Sequence, residues 1–274
     1  MPKSTPQQAA TSGQMIPPRK TVHMTLCGKG GVGKSVVARL LAEYLTSRGE
    51  VPLAFDADPL NTNFASVETF GAEKVQLFDK AHRINAKLFD AMVVKIYGSD
   101  RSVVIDTGAS SYVPLFNYMQ ELKFARGLKQ WDFDLMLHVI IAGGPALPFT
   151  MTNLTEVCRT FGGTAGITVW LNHYWEEITH NEKPFTELPV FKTNQSSITG
   201  LLEIERMAAD TSAEDFAEFL KRNISFEQAL DRTTSPFNIV EQSRLFNIRE
   251  TIFEGMDAVL GQQESAQPQV AVPV

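Results

Sequence analysis

The sequence has little of what marks secreted, membrane or nucleic-acid-coating chains. Its 274 residues include two cysteines, Cys27 and Cys158, too few for a disulfide framework and not in C-x-x-C spacing. No run of 18 or more apolar residues is present, so no membrane-spanning helix is expected. No charged n-region followed by an apolar core opens the chain, and a cytoplasmic protein is the expectation. Basic residues are not in excess. The 31 acids and 25 Lys/Arg give a formal net charge of −6, which sets the whole molecule apart from evident polyanion binders. No internal repeat, no His/Cys/Asp cluster with metal-ligand spacing and no Ser/His/Asp nucleophile set stands out.

What is present is a 43% hydrophobic chain, long enough for one large α/β domain or two small ones. Residues 1–20 are rich in Pro, Gln, Ser and Thr and read as a disordered tail; residues 261–274 read as a second, flexible one. Between them strand and helix patterns alternate, which points to a doubly wound, mostly parallel sheet with helices on both faces. Strands are predicted over 21–27, 51–55, 102–105, 135–142, 165–171 and within 196–204. Helices are predicted over 34–48, 85–97, 112–126, 149–161, 211–222, 225–231 and 236–260, with 59–82 irregular.

The chemistry is concentrated after the first strand. Gly28-Lys29-Gly30-Gly31-Val32-Gly33-Lys34-Ser35 is a G-x-x-x-x-G-K-S phosphate loop between a β-branched strand and a helix that carries Val36, Val37, Leu40, Leu41 and Leu45. The glycines let backbone N–H groups curl round a phosphate, and the helix N-terminus adds partial positive charge. In such a loop Lys34 reaches the β- and γ-phosphates and the Ser35 hydroxyl ligates Mg²⁺. Val103-Val104-Ile105-Asp106 is the matching acidic strand, with Asp106 expected to hold a water on the metal. Thr107-Gly108-Ala109-Ser110-Ser111 then reads as the segment that senses the γ-phosphate. Phe55-Asp56-Ala57-Asp58-Pro59 ends the second strand. An acid at a strand's C-terminal end points into the ligand crevice of a doubly wound sheet, yet Asp before Pro also simply forms turns.

Lys29 taken by spacing alone is a solvated loop lysine. With it, Lys-Gly-Gly-Val-Gly-Lys-Ser resembles the deviant Walker A box of the ParA/MinD/nitrogenase-iron-protein group of ATPases. The resemblance implies an ATP-driven homodimer in which Lys29 reaches the partner's phosphates, ATP and Mg²⁺ as ligands, and Asp58 as the acid that positions the attacking water. Asp56 is then expected to fix the switch loop or the metal's waters. Leu60-Asn61 departs from the Gln-Gly of partition ATPases, which leaves the detail of that switch open. The group's iron–sulfur carriers need cysteines near other loops, and none lies near the second acidic motif. Asn172, which ends the 165–171 strand, is either a turn cap or, as the resemblance implies, the contact to the adenine edge; an amide suits that edge because it donates and accepts at once. His173-Tyr174-Trp175 are expected either to cover the base or a subunit contact, or to close the core.

The run from Val104 to Leu115 containing Gly108-Ala109-Ser110-Ser111, the stretch Trp170-Leu171-Asn172-His173-Tyr174-Trp175, and Phe226-Glu227-Gln228-Ala229-Leu230 resemble the TraL family of plasmid conjugal-transfer proteins over about residues 21–260. That resemblance implies an accessory ATPase of conjugative DNA transfer with type IV secretion proteins as partners. Non-specific DNA binding in the partition manner is the alternative. From residue 200 onward, thirteen acids face six Lys/Arg, which argues against a basic C-terminal face. A membrane-surface role for 236–260 is disfavoured, since Arg244 and Arg249 are outnumbered by Glu241, Glu250, Glu254 and Asp257. A small-molecule kinase on the same loop lacks an evident acceptor site.

Overall fold

A computed structural model describes residues 19–79, 84–174 and 176–261. Residues 1–18 and 262–274 of the two expected tails, and Trp175, lie outside the described residues. In chain order the elements are β1 (Lys20–Thr25), α1 (Lys34–Ser47), β2 (Leu53–Ala57), β3 (Glu73–Lys74), α2 (Phe89–Tyr97), β4 (Val103–Thr107), α3 (Tyr112–Glu121), α4 (Phe124–Gln130), β5 (Phe133–Ala142) and α5 (Leu147–Phe161). They continue with β6 (Gly166–Asn172), the hairpin β7 (Thr179–His180) and β8 (Lys183–Pro184), α6 (Pro189–Asn194), β9 (Gly200–Ile204), α7 (Ser212–Lys221), α8 (Phe226–Leu230) and α9 (Ile239–Met256).

Among the described residues the main sheet has seven strands in the order β3-β2-β4-β1-β5-β6-β9, every pairing parallel. Alternation along each strand divides the core in two. Leu135, Leu137, Val139 and Ile141 of β5 face α2 to α5. Ile140 and Ala142, with Trp170, Leu202 and Ile204, face α1, α7, α8 and α9. The doubly wound parallel fold is therefore as expected. In α9, Leu245, Ile252 and Met256 are buried against the sheet-side core, so the helix turns its apolar side inward.

Several boundaries differ for physical reasons. Pro52 has no N–H to give a ladder, so β2 begins at Leu53 rather than 51 and runs through Asp56. The strand expected to end at Ile105 runs to Thr107, which makes Asp56 and Asp106 register partners inside the sheet. The helix expected over 112–126 is two helices, broken where Lys123 takes a φ of 52° and turns Phe124 and Leu128 into the core. The stretch 59–82 contains the edge strand β3. β7, β8 and α6 were not foreseen, and the last strand covers only 200–204. α9 starts at Ile239 because Asn238 caps it: Oδ1 accepts from Val240 N at 2.9 Å and Glu241 N at 3.1 Å, and Glu241 returns a bond to Asn238 N–H.

Polar pins tie α1 to the helices beside it. The Arg39 guanidinium, buried over the Phe219 ring, donates to the carbonyls of Phe219 and Leu220 at the end of α7 and of Ile224 just beyond it. Glu43 accepts the Phe226 N–H at the start of α8 at 2.9 Å. Burial pushes the Glu43 carboxyl up to about 7, although the Phe226 N–H and Arg39 pull the other way.

Three rings form a second buried polar feature. Trp170 Nε1–H donates to His138 Nδ1 at 2.9 Å, and His138 Nε2 lies 3.0 Å from His23 Nδ1. Trp donates only, so the His138 proton must sit on Nε2 and point at His23. Burial holds the His23 imidazole down to about 4 and His138 well below its usual value. We expect nitrogen shifts to show His138 as the neutral Nε2–H tautomer from pH 8 down to pH 5. A ring that charges near its ordinary pKa of about 6.5 would show that the pair is not sealed.

Candidate nucleotide-binding site

The phosphate loop joins β1 to α1 at the C-terminal edge of the sheet, where a doubly wound fold places its ligand crevice. Gly31 and Gly33 take φ of +75° and +105°, conformations that side chains resist. A Cβ on Gly33 would also meet Asn172 Nδ2 at 2.6 Å. The loop opens onto a cavity of about 550 Å³. Loop residues Gly30, Gly31, Gly33, Lys34, Ser35 and Val36 line it, with Asp58, Leu60, Asn61 and Asn63 from the segment after β2 and Ala109 and Ser110 from that after β4. Asn172, Tyr174, Ile204, Phe216, Ala217 and Leu220 complete the lining. Lys29 and Phe149 are not part of the lining.

Lys34 is buried and donates from Nζ to the Lys29 carbonyl at 3.0 Å, so the ammonium is folded back under the loop. Asp106 lies beneath, fully buried. Its Oδ1 accepts from Thr25 Oγ1 at 3.2 Å, and Oδ2 has no hydrogen-bond partner. Burial raises its carboxyl to about 7; the Ser35 hydroxyl pulls it down, Asp56 pushes it up, and Lys34 and Thr25 pull it down. An orphaned buried carboxylate oxygen beside a serine hydroxyl is what a hydrated divalent cation would complete. The residues present thus fit Mg²⁺.

Asp56 is spent on shaping the loop that follows. Oδ1 accepts from Asp58 N at 3.1 Å and Oδ2 from Ala65 N at 2.9 Å, while burial lifts its carboxyl above the usual range. Asp58 forms a turn of its own, Oδ1 accepting from Leu60 N at 2.9 Å and Asn61 N at 3.1 Å. Leu60-Asn61 therefore supplies backbone donors where partition ATPases have Gln-Gly. Asp58 therefore makes the turn and also lines the cavity. It also lies against Gly108, where a Cβ would come within 2.6 Å of its carboxyl. Ser111 stitches the two segments together, its hydroxyl donating to Ala57 O at 2.9 Å and accepting from Gly108 N at 3.1 Å.

Asn172 donates from Nδ2 to the Val32 carbonyl at 2.9 Å, and its Oδ1 accepts from Tyr174 N at 3.1 Å. The amide thus braces the phosphate loop, with one N–H left over. Tyr174 lines the cavity, whereas the His173 N–H joins the Ile204 carbonyl.

The sequence reading missed the contribution of α5. Asn153 Oδ1 accepts from Gly28 N at 3.3 Å, its Nδ2 donates to Leu26 O at 3.0 Å, and Tyr112 donates to Glu156 at 2.9 Å. The one signal available was an Asn next to Leu154 on a helix face that is apolar but for Thr150.

Residues 24–227 match the CobQ/CobB/MinD/ParA nucleotide binding domain. The chain is similar to two Escherichia coli proteins called Protein TraL, each 33% identical and covered over 97% of its length by 86% of this chain. Among solved structures, that of the MinC:MinD cell division protein complex of Aquifex aeolicus superposes with a TM-score of 0.52 at 13% identity, over 93% of this chain and 98% of that one. A likeness at such identity speaks for the fold alone. With the domain matched over most of the chain and relatives aligned along nearly their full length, this protein belongs to the TraL family, within the CobQ/CobB/MinD/ParA group of nucleotide-binding proteins.

Proposed function

We propose that this protein is an ATP-dependent dimerising ATPase switch, an accessory factor in conjugative plasmid transfer that acts on type IV secretion partners from the cytoplasm. The ATPase unit spans residues 21–260, with the two tails outside it. The observation that carries the reading is the cavity lined jointly by the phosphate loop, Asp58 and the Ala109-Ser110 segment. A γ-phosphate held there is felt by both switch segments at once.

The loop N–H groups and Lys34 grip the phosphates. Asn172 and Tyr174 stand at the base end with Phe216, which suits a purine. Ser35 and Asp106, the latter through water, would hold Mg²⁺, and the ion would neutralise charge on the phosphates. Asp58 orients the attacking water. Lys29, outside its own cavity, is available to a second copy. Leu60, Val113 and Phe149 stand 68%, 60% and 63% exposed, apolar area that a second copy would cover.

The test is light scattering of the apo, ADP-bound and ATP-analogue-bound protein. A monomer is expected in the first two states and a dimer in the third. Asp58→Ala should stay dimeric in ATP and turn over at least tenfold more slowly, in line with the usual contribution of a positioned acid–base group of about 10²–10⁴. Nucleotide bound with no change in mass would sink the dimer, and normal turnover by Asp58→Ala would remove that residue's role. The DNA-coating alternative predicts a nucleotide-dependent mobility shift at low salt.

A further inference from the structure

We infer that Phe149 is the positioning residue for Lys29: its ring holds the lysine's ammonium outside the chain's own cavity, ready for a second copy. The inference rests on the trans role proposed above for Lys29. Lys29 Nζ lies 5.4 Å from the centroid of the Phe149 ring, inside the ~6 Å reach of cation–π attraction. Neither residue lines the cavity.

The stretch of loop after Lys29 gives it no such direction. A Cβ on Gly30 or Gly31 would meet nothing within 4 Å, so the backbone that follows Lys29 stands in open space. A lysine free on that loop could swing into its own cavity, where bound phosphates would satisfy its charge in cis and leave none to offer a partner. The aromatic face supplies a competing station. The ring is 63% exposed, so filling a core is not its local task.

The station is also fixed relative to the loop. Asn153 and Glu156 follow Phe149 at i+4 and i+7, on one face of α5. Asn153 clamps the Leu26 carbonyl and the Gly28 N–H at 3.0 and 3.3 Å, and Glu156 holds the Tyr112 hydroxyl at 2.9 Å. The residue just before Lys29 is therefore pinned to the same helix that carries the ring.

Phe149→Leu keeps an apolar side chain of similar size but removes the π face; Phe149→Tyr keeps the face. In proton NMR of the apo protein, the Lys29 ε-methylene signals should be shifted upfield by the ring in the wild type and in Phe149→Tyr, and return to ordinary positions in Phe149→Leu. With a non-hydrolysable ATP analogue, Phe149→Leu should weaken self-association about two- to fivefold, the range of an exposed cation–π pair, and Phe149→Tyr should restore it. In a Lys29→Ala background, Phe149→Leu should add nothing. An equal loss in that background would mean the ring is a plain apolar contact and would overturn the inference. Wild type that associates without the upfield shift overturns the positioning role alone. Wild type that shows the shift, binds nucleotide and never associates overturns the trans role, and the positioning role with it.

Discussion

Asp106→Asn should give a protein that is more stable without nucleotide and nearly inert with it. The carboxyl is fully buried and burial raises it from 3.8 to about 7. A folded-state pKa above the unfolded value means the native state carries an energetic penalty once the group ionises. That penalty is fully present above pH 7, shrinks as pH falls through 7, and is gone near the unfolded value. The rise to about 7 corresponds to a penalty on the order of 2–4 kcal/mol at pH 8, which for a chain of this size is a rise in Tm of about 5–10 °C once the charge is removed. Asn has nearly the same shape, keeps an acceptor for Thr25 and carries no charge. Scanning calorimetry of both proteins from pH 4 to 8 should show the gap widening with pH. The same substitution removes the charge that would balance a divalent ion, so Mg²⁺-dependent turnover should fall by roughly 100-fold or more. An Asp106→Asn protein that melts below the wild type at pH 8 would refute the account of that carboxyl.

Lys34→Ala should lower nucleotide affinity on the order of 100-fold, because one charge-assisted contact to a phosphate contributes about 1.5–3 kcal/mol. Fluorescent-nucleotide titration measures it, and an affinity within threefold of wild type would contradict the placement of the ammonium. The loss has an internal signature too. Lys34 is among the groups that hold the Asp106 carboxyl down, and its Nζ is the donor to the Lys29 carbonyl. Without it Asp106 should hold its proton to higher pH than in the wild type, and the loop should lose its inner brace. A carbon-detected titration of the Asp106 carboxyl reads the first effect directly.

Much of this was legible because it depends on local order along the chain. The phosphate loop and Asp58 each follow a strand and Asp106 sits one residue before a strand's end, and a strand's end fixes where the neighbouring residues lie. The parallel sheet was legible from buried apolar strands alternating with helical stretches. What escaped was set by contacts between distant segments. Nothing near Asn153 says that its amide will meet Leu26 and Gly28, some 125 residues earlier. The Asx turn at Asp58 was readable as a turn, but its packing against Gly108 required β2 and β4 to be neighbours. The break at Lys123 escaped because periodicity on either side of it is helical and only the positive φ divides it. For Asn172 a turn cap and a ligand contact were both open; its Oδ1 does cap the Tyr174 N–H, while its bond to the Val32 carbonyl, 140 residues earlier, could not be read from the sequence.

The chain of rings from Trp170 through His138 to His23 also bears on how the middle of the sheet is assembled. Strands whose alternate residues are all apolar offer few marks by which a neighbour can tell the right alignment from one displaced by a residue. Here a displacement of β5 by one position would carry His138 to the opposite side, leave the indole N–H without an acceptor, and bury an imidazole among aliphatic side chains. The three residues thus work as a key cut across β6, β5 and β1, admitting one alignment of the strands that lead to the phosphate loop and to Asn172.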